Sequence, residues 1–234
     1  MMKEMSQPKR LTIPAEVFYV FGIVFVAFGV ALMEKADLGL STIVGPAYVL
    51  YRHLTRFWPV VSFGMMEYTF QAFLLIIMII ILKRFRLSYL FSFVTAVVYG
   101  FTLNGFMALV SPAEVKALPL RLLFYAVGML FCAFGVASML HTYISPEVYE
   151  LIVKEIPRKF HLNLSKFKTA FDILCFTTTV ILSFVFFGFG HFVGIGWGTL
   201  VCALVNGTII GRMCAIIDRR VTVVDLLPLR RSFE

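Results

Sequence analysis

Two pairs of polar residues stand four apart inside otherwise apolar runs: Glu67 with Gln71, and Lys168 with Asp172. That spacing puts each pair on one face of a helix. A charge within a bilayer is costly and turns toward a cavity or a partner. The chemistry open to such groups is solute binding or proton carriage. Asp172 is the first candidate for either role, and its competing reading is an ion pair with Lys168 at a helix end near the inner surface. Glu67 lies close enough to the outer end of its run for plain solvation to compete. Asn104 and Asn206 are candidates to hydrogen-bond a solute, although amides in such runs more often tie helices together.

A second group occupies two polar turns. Asp37, Ser41 and Thr42 fall in 36–46, and Tyr143 and Ser145 fall in 141–147. Each turn leads into a short helix, expected over 41–54 and 144–160. Ser145 before Pro146 and Glu147 reads as a helix start, with Ser as N-cap and Pro at the first position. Helix starts present free N–H groups and a positive dipole end, which suits an anion or a carboxylate. Ordinary capping is the plainer role. Cys132, Cys175, Cys202 and Cys214 all lie in apolar runs without ligand spacing, as small packing residues do. There is no phosphate loop, metal cluster or nucleophile–base pair, so no metal, no cofactor and no enzyme is expected.

The elements that must position these residues are membrane spans. The chain has 234 residues, 60% of them hydrophobic and 15% charged, with a mean hydropathy of +0.92. A soluble domain is about half apolar and a quarter charged. Runs of about 20 apolar residues cross a bilayer, and six are present, near 16–34, 60–82, 87–110, 118–140, 167–189 and 194–217. Unbroken runs such as 73–82 are helical and lack the alternation of a membrane strand.

The net charge of +8 lies in the connections, which points to topology and excludes nucleic acid as the partner. With six spans and a cytoplasmic N-terminus, sixteen of the 21 Lys and Arg residues fall inside and five outside. The first run is full length and has no cleavage site, so it stays as a span. The expected location is the bacterial cytoplasmic membrane, multi-pass, with both termini cytoplasmic.

The chain repeats itself. Residues 21–35 laid on 127–141 give 8 identities in 15, including an unbroken Ala-Phe-Gly-Val-Ala at 27–31 and 133–137. Residues 92–100 on 199–207 give 4 in 9, at an offset of 107 against 106 for the first window. Three spans per copy is an odd number, so the second copy is inverted. The reading is an all-α polytopic protein of six spans, an inverted 3+3 repeat with a short interfacial or re-entrant helix after spans one and four. Its divisions are a lead (1–15), repeat one (16–110), an outer linker (111–117), repeat two (118–218) and a basic tail (219–234). The small-residue stripe itself reads as helix packing.

The run Ala27–Thr42 (AFGVALMEKADLGLST), with GIGWGTL at 194–200 ahead of Asn206-Gly207, resembles the YczE/YyaS/YitT group of bacterial integral membrane proteins over 17–218. The resemblance implies this fold and a presumed transporter, and it sets Asp172 against the group's acid deep in span five. The second copy departs from it, with HTYISPE at 141–147. Inverted repeats with broken elements mark secondary transporters. The expected function is alternating-access transport of a small polar or anionic solute through a site between the repeats. The rivals are a substrate-binding subunit of an energy-coupling-factor transporter and a non-transporting membrane regulator. Expected partners are the solute and the lipid bilayer, with a homodimer left open.

Overall fold

A computed structural model describes residues 11–112 and 115–226. Most of the expected lead and tail, and the centre of the outer linker, lie outside them. The chain runs β1 (Leu11–Pro14), α1 (Ala15–Ala36), α2 (Gly45–Leu54), α3 (Phe63–Leu82), α4 (Leu87–Val110), α5 (Leu118–Leu140), α6 (Val148–Phe160), α7 (Leu164–Phe187), α8 (Trp197–Arg220) and β2 (Val221–Val224). Six helices, all but α2 and α6, are long and apolar enough to span a membrane. Large side chains such as Phe73, Ile76 and Ile80 point outward from them, where lipid replaces the need for protein contact. The protein is an all-α polytopic membrane protein.

Parallel pairing of β1 with β2 joins the two ends of the chain. β1 and β2 therefore share one face, the basic face, with the Lys83–Arg86 turn between α3 and α4. This small sheet was not expected: residues 219–220 finish α8, and the strand follows directly.

The α1/α5 crossing is the centre of the fold. A methyl group on Gly29 would come 2.5 Å from the Gly128 carbonyl oxygen, and one on Gly135 would come 2.6 Å from that of Gly22. Only backbone fits there. The offset of 106 carries Gly22 to Gly128 and Gly29 to Gly135, so it maps this contact onto itself. The aromatic rings obey the same rule. Phe25 meets Phe134 edge-on at 5.2 Å and 83°, and the exchanged pair, Phe131 with Phe28, meets at 5.1 Å and 82°. Such self-mapping is what a pseudo-two-fold axis between antiparallel helices produces. Each well-placed ring pair adds about 0.5–1.5 kcal/mol beyond area burial.

The two short helices are re-entrant. Val148 at the start of α6 donates its N–H to Gln71 Oε1 at 3.1 Å, and Gln71 is the ninth of 20 residues in α3. Near the far end of α6, Lys159 Nζ reaches the Ile81 and Leu82 carbonyls that close α3, at 3.1 and 2.5 Å. The chain thus leaves α5 at the basic face, climbs halfway back through the bundle over 141–147, and returns as α6. The first repeat does the same on the opposite face. Gly45 of α2 lies against Thr179 inside the bundle, and His53 stacks on Phe186 at 4.1 Å near the end of α7. Irregular backbone at this depth survives because protein surrounds it.

One expected boundary is corrected. Helix α6 begins at Val148, and its N-cap is Glu147 rather than Ser145. Pro146 precedes the helix instead of opening it. The cause is tertiary: the Gln71 side chain on α3 takes the first N–H of α6, a partner no local pattern reveals.

Most helix pairs obey the pseudo-symmetry, but the packing of α3 on α4 and of α4 on α6 is not matched by α7 on α8 or α8 on α2. α1 packs on α4 as α5 packs on α8, and α2 on α7 as α6 on α3. α3 and α4 press together where Gly64 meets Gly100. α7 and α8 make no such contact: a methyl group on Gly207, at the place of Gly100, would meet no atom of another helix within 4 Å.

Candidate functional site

A hydrogen-bonded relay holds the tip of the second re-entrant segment, and residues of similar kind stand at the matching places of the first. Tyr19 on α1 hydrogen-bonds Thr95 on α4 at 2.5 Å, and Thr95 Oγ1 lies 3.1 Å from the Ser145 carbonyl oxygen and 3.0 Å from that of Phe91. The Thr95 hydroxyl has one proton to offer these carbonyls, so Tyr19 donates to it. In the other half Tyr125 stands for Tyr19, Cys202 for Thr95 and Ser41 for Ser145. The Cys202 thiol lies beside the Tyr125 and Ser41 side chains, although the buried Tyr125 hydroxyl makes no hydrogen bond of normal geometry.

Below the Ser145 tip lies an acid cluster. Gln71, fully buried, donates from Nε2 to Glu147 Oε2 at 3.0 Å while its Oε1 takes the Val148 N–H. Tyr149 donates to Glu67 Oε2 at 3.1 Å. Glu67 is 0% exposed and Glu147 is 4% exposed. Glu67 Oε1, Glu147 Oε1 and Glu150 Oε2 are buried without a partner. Burial first, then the like charges of Glu150 and Glu67, hold the Glu147 carboxyl well above the usual carboxylate range, and the Gln71 hydrogen bond opposes this only in part. Burial also raises Glu150, with Lys168 working against it.

A cavity of about 800 Å³ opens beside this cluster. Both halves line it: Val26 and Val30 of α1, Ser41, Tyr99 of α4, Cys132 of α5, Ser145 and Glu147, and Asn206, Gly207 and Gly211 of α8. Arg86, Lys154 and Arg158 border it as well, which brings it to the basic face. A smaller recess of about 540 Å³ on the opposite face is lined by Glu34, Tyr48 and Arg52. Its Tyr48 hydroxyl donates to Glu34 at 3.1 Å.

Of the ten residues expected at a site, Ser41, Tyr143, Ser145 and Asn206 line the large cavity, and Glu67 and Gln71 lie behind its wall. Asn206 Oδ1 is buried there without a partner. Glu67 is enclosed by protein, so solvation is not its environment. Thr42 is buried outside the cavity lining. Asp37, Asn104 and Asp172 are engaged elsewhere, and Tyr143 has a partner besides the cavity. Asp37 is 92% exposed in its side chain and pairs with Arg121 at 3.0 Å, an arginine that also caps the α1 carbonyl of Ala36 at 2.7 Å. Asn104 ties α4 to the start of α3 through Gly64 N and Ser62 Oγ, both at 2.8 Å. Tyr143 donates to Glu16 at 2.5 Å by the basic face. Asp172 pairs with Lys168 at 3.4 Å.

The two runs singled out as motifs prove to be one unit. Gly198 N donates to the Leu38 carbonyl at 2.8 Å, and Leu40 N to that of Gly194 at 3.0 Å. A side chain at Gly196 would strike the Leu38 carbonyl, and one at Gly39, where φ is +103°, would strike Thr199. The glycines are there so that two backbones can touch, which seats the Ser41 tip against α8.

Sequence reasoning missed Glu147, Glu150, Tyr149 and the relay. A signal for the relay was present: the identity between copies extends back to Phe18-Tyr19 and Phe124-Tyr125. Glu147 had been absorbed into a capping pattern.

A family model described as "Family of unknown function (DUF6198)" matches residues 13–215. No curated protein matches the chain, and no solved structure does.

Proposed function

The chain belongs to the family of unknown function DUF6198, and we propose that it is a transporter moving a small polar solute by alternating access between its two inverted halves. One observation carries this reading: a cavity of about 800 Å³ built from both halves reaches the tips of both re-entrant segments, and it exists because α8 stands off α7 where its counterpart α4 packs on α3. A two-fold scaffold caught in an asymmetric arrangement has a second arrangement of similar energy, with the halves exchanged. In that arrangement α8 closes on α7 and α4 leaves α3, so the opening moves to the opposite face. The small-residue face Gly207-x-x-x-Gly211, which normally seats a helix, has none in this state.

The solute binds between the Ser41 and Ser145 tips, against Tyr99, Asn206 and Glu147. Carboxyl groups and neutral donors there favour a neutral polar or cationic solute over the anion suggested by bare helix starts, because the α6 start is already occupied by Gln71. The excess of Lys and Arg on the basic face supports a cytoplasmic position for it, in the membrane of a bacterial cell.

The test is two-sided labelling. A chain with Cys132, Cys175, Cys202 and Cys214 replaced by Ala and Asn206 by Cys is exposed to an impermeant maleimide in vesicles of either orientation. Alternation requires labelling from both faces, slower from the face opposite the basic one. Labelling from the basic face alone under all conditions refutes it. A thermal-shift screen of metabolites then identifies solutes, since a ligand that binds only the folded state raises the midpoint.

A further inference from the structure

We infer that Glu147, with Gln71 and Glu67 behind it, is a proton-binding site loaded in this state and exchanged through the large cavity, so that transport is coupled to protons. The coupling rests on the transporter reading above; the proton site does not.

The argument is one of unmet demand. An ionised carboxylate offers about four acceptor positions, and a buried one needs a counter-charge as well as hydrogen bonds. Glu147 receives one hydrogen bond, from Gln71, on Oε2, and Glu67 receives one from Tyr149 on its Oε2, with the Gln71 side chain also beside it. Each leaves Oε1 buried and bare. Among the described residues no cation acts on Glu147, although Lys168 lines the same cavity. α3 presents Glu67 and Gln71, α4 presents Tyr99, α1 presents Tyr19, α5 presents Cys132, and α6 itself presents Tyr149 and Glu150. The lysine and aspartate of α7, Lys168 and Asp172, act on Glu150. Arg86, Lys154 and Arg158 border the cavity nearer the basic face. A proton on Glu147 removes the charge and turns a bare acceptor into a donor.

Position makes the site exchangeable. Glu147 lines the cavity, whereas Glu67 does not. When water fills the cavity, the Glu147 O–H bond breaks, the proton passes to water and the electron pair stays on the carboxylate. Reprotonation is the reverse step. Gln71 cannot carry a proton, so it fixes the geometry of both acids while Glu147 does the exchange. At the matching place in the first segment, counted from Ser41 and Ser145, stands Ile43. The scaffold is duplicated, but the acid is present once.

The test reads the proton directly. Infrared difference spectra of the purified protein are recorded across about pH 4 to 9, following the carbonyl band of protonated carboxyl groups. Wild type is expected to keep such a band at neutral pH. The band should shift when glutamate, and not aspartate, is labelled with carbon-13. Glu147→Gln should remove most of the alkaline titration, and Asp172→Asn should leave it. If Glu147→Gln fails to fold, the isotope experiment on wild type still decides. A band that is absent at neutral pH, or that follows aspartate labelling, overturns the site. A band that disappears when sodium replaces a bulky organic cation also overturns it, because the site then holds a metal cation. If the site titrates as expected and the cysteine labelling is one-sided, the transporter reading fails and the proton site stands.

Discussion

Gly100 and Gly207 occupy matching places in the two halves, so one substitution made at both isolates the asymmetry between them. At Gly100 a methyl group would lie 2.6 Å from the Gly64 carbonyl oxygen and 2.9 Å from Tyr68 Cδ1. At Gly207 it would meet nothing within 4 Å. Replacing a helical glycine by alanine gains about 0.5–1 kcal/mol of helix stability at either place. Overpacking, about 1–3 kcal/mol, applies only at Gly100. The propensity gain cancels between the variants, which leaves a difference of about 1–3 kcal/mol. For a chain of this length each kcal/mol moves the unfolding midpoint by about 2–4 °C. Gly207→Ala should therefore unfold roughly 2–12 °C above Gly100→Ala, and at or slightly above wild type. Thermal unfolding of the three proteins in one detergent, followed by loss of the monodisperse peak, measures this. Equal midpoints, or Gly207→Ala below Gly100→Ala, would refute both the packing of α3 on α4 and the gap between α7 and α8. Transport should separate the variants differently: Gly207→Leu is tolerated in this state but blocks closure onto α7, so it should abolish two-sided labelling while keeping a near-native midpoint.

Three further outcomes follow from the site. Gln71→Leu strands the Val148 N–H and removes the donor to Glu147, at a cost of about 1–3 kcal/mol for an unsatisfied buried group, while Gln71→Glu keeps an acceptor; the midpoint loss should be larger for Leu, and a smaller loss contradicts the α6 cap. Thr95→Val removes the proton offered to the Phe91 and Ser145 carbonyls and the partner of Tyr19, so it should cost about 1 kcal/mol or more, whereas Thr95→Cys, which copies Cys202, should cost less; the same melts decide. Acids raised by burial bind more protons folded than unfolded. Stability from Glu147 and Glu150 is thus fully present below the unfolded carboxylate value and is lost as pH rises through their elevated folded values, with a slope of at most about 1.4 kcal/mol per pH unit per proton. Glu147→Gln should flatten the midpoint-against-pH curve above about pH 4.5, and an unchanged slope would contradict the assignment.

Much of the fold was legible because membrane insertion writes on the sequence directly. Apolar run length fixed α4 and α5 to the residue, and the ends of α1, α3, α7 and α8 to within about three. The Ala-Phe-Gly-Val-Ala repeat marked the α1/α5 contact, because close backbone approach leaves only small residues as options. The site was less legible. Asp172 stands in an apolar run with Lys168 four residues before it, and the ion pair, the plainer of its two sequence readings, is the one that forms. Glu147 was hidden: a Ser-Pro-Glu string reads as a local helix start, and only the fold shows Gln71 in the capping role. The Thr95–Cys202 match breaks identity at the polar atom that matters. The β1/β2 pairing joins residues about 210 apart, beyond any local pattern. The separation of α7 from α8 is a property of one arrangement of the chain, and Gly207 gives no sign in sequence of having lost its neighbour.

The contrast between a duplicated scaffold and unduplicated chemistry has a mechanical consequence. If the halves exchange as proposed, the symmetric parts, the glycine crossing and the paired rings, are those that serve equally in both arrangements. A proton carrier has the opposite requirement. It must be one group, close to the axis, met from one face and then the other; a second acid at Ile43 would hold its own proton and uncouple the two faces. Glu147 meets that requirement by hanging on a re-entrant tip rather than on a full span. The tip sits halfway along α3 and is tied to it through Gln71, while the cavity beside it is bounded by α8. If α8 is the part that moves and α3 with α6 the part that stays, the carboxyl need not travel: closing and opening helices around it is enough to change which face it sees.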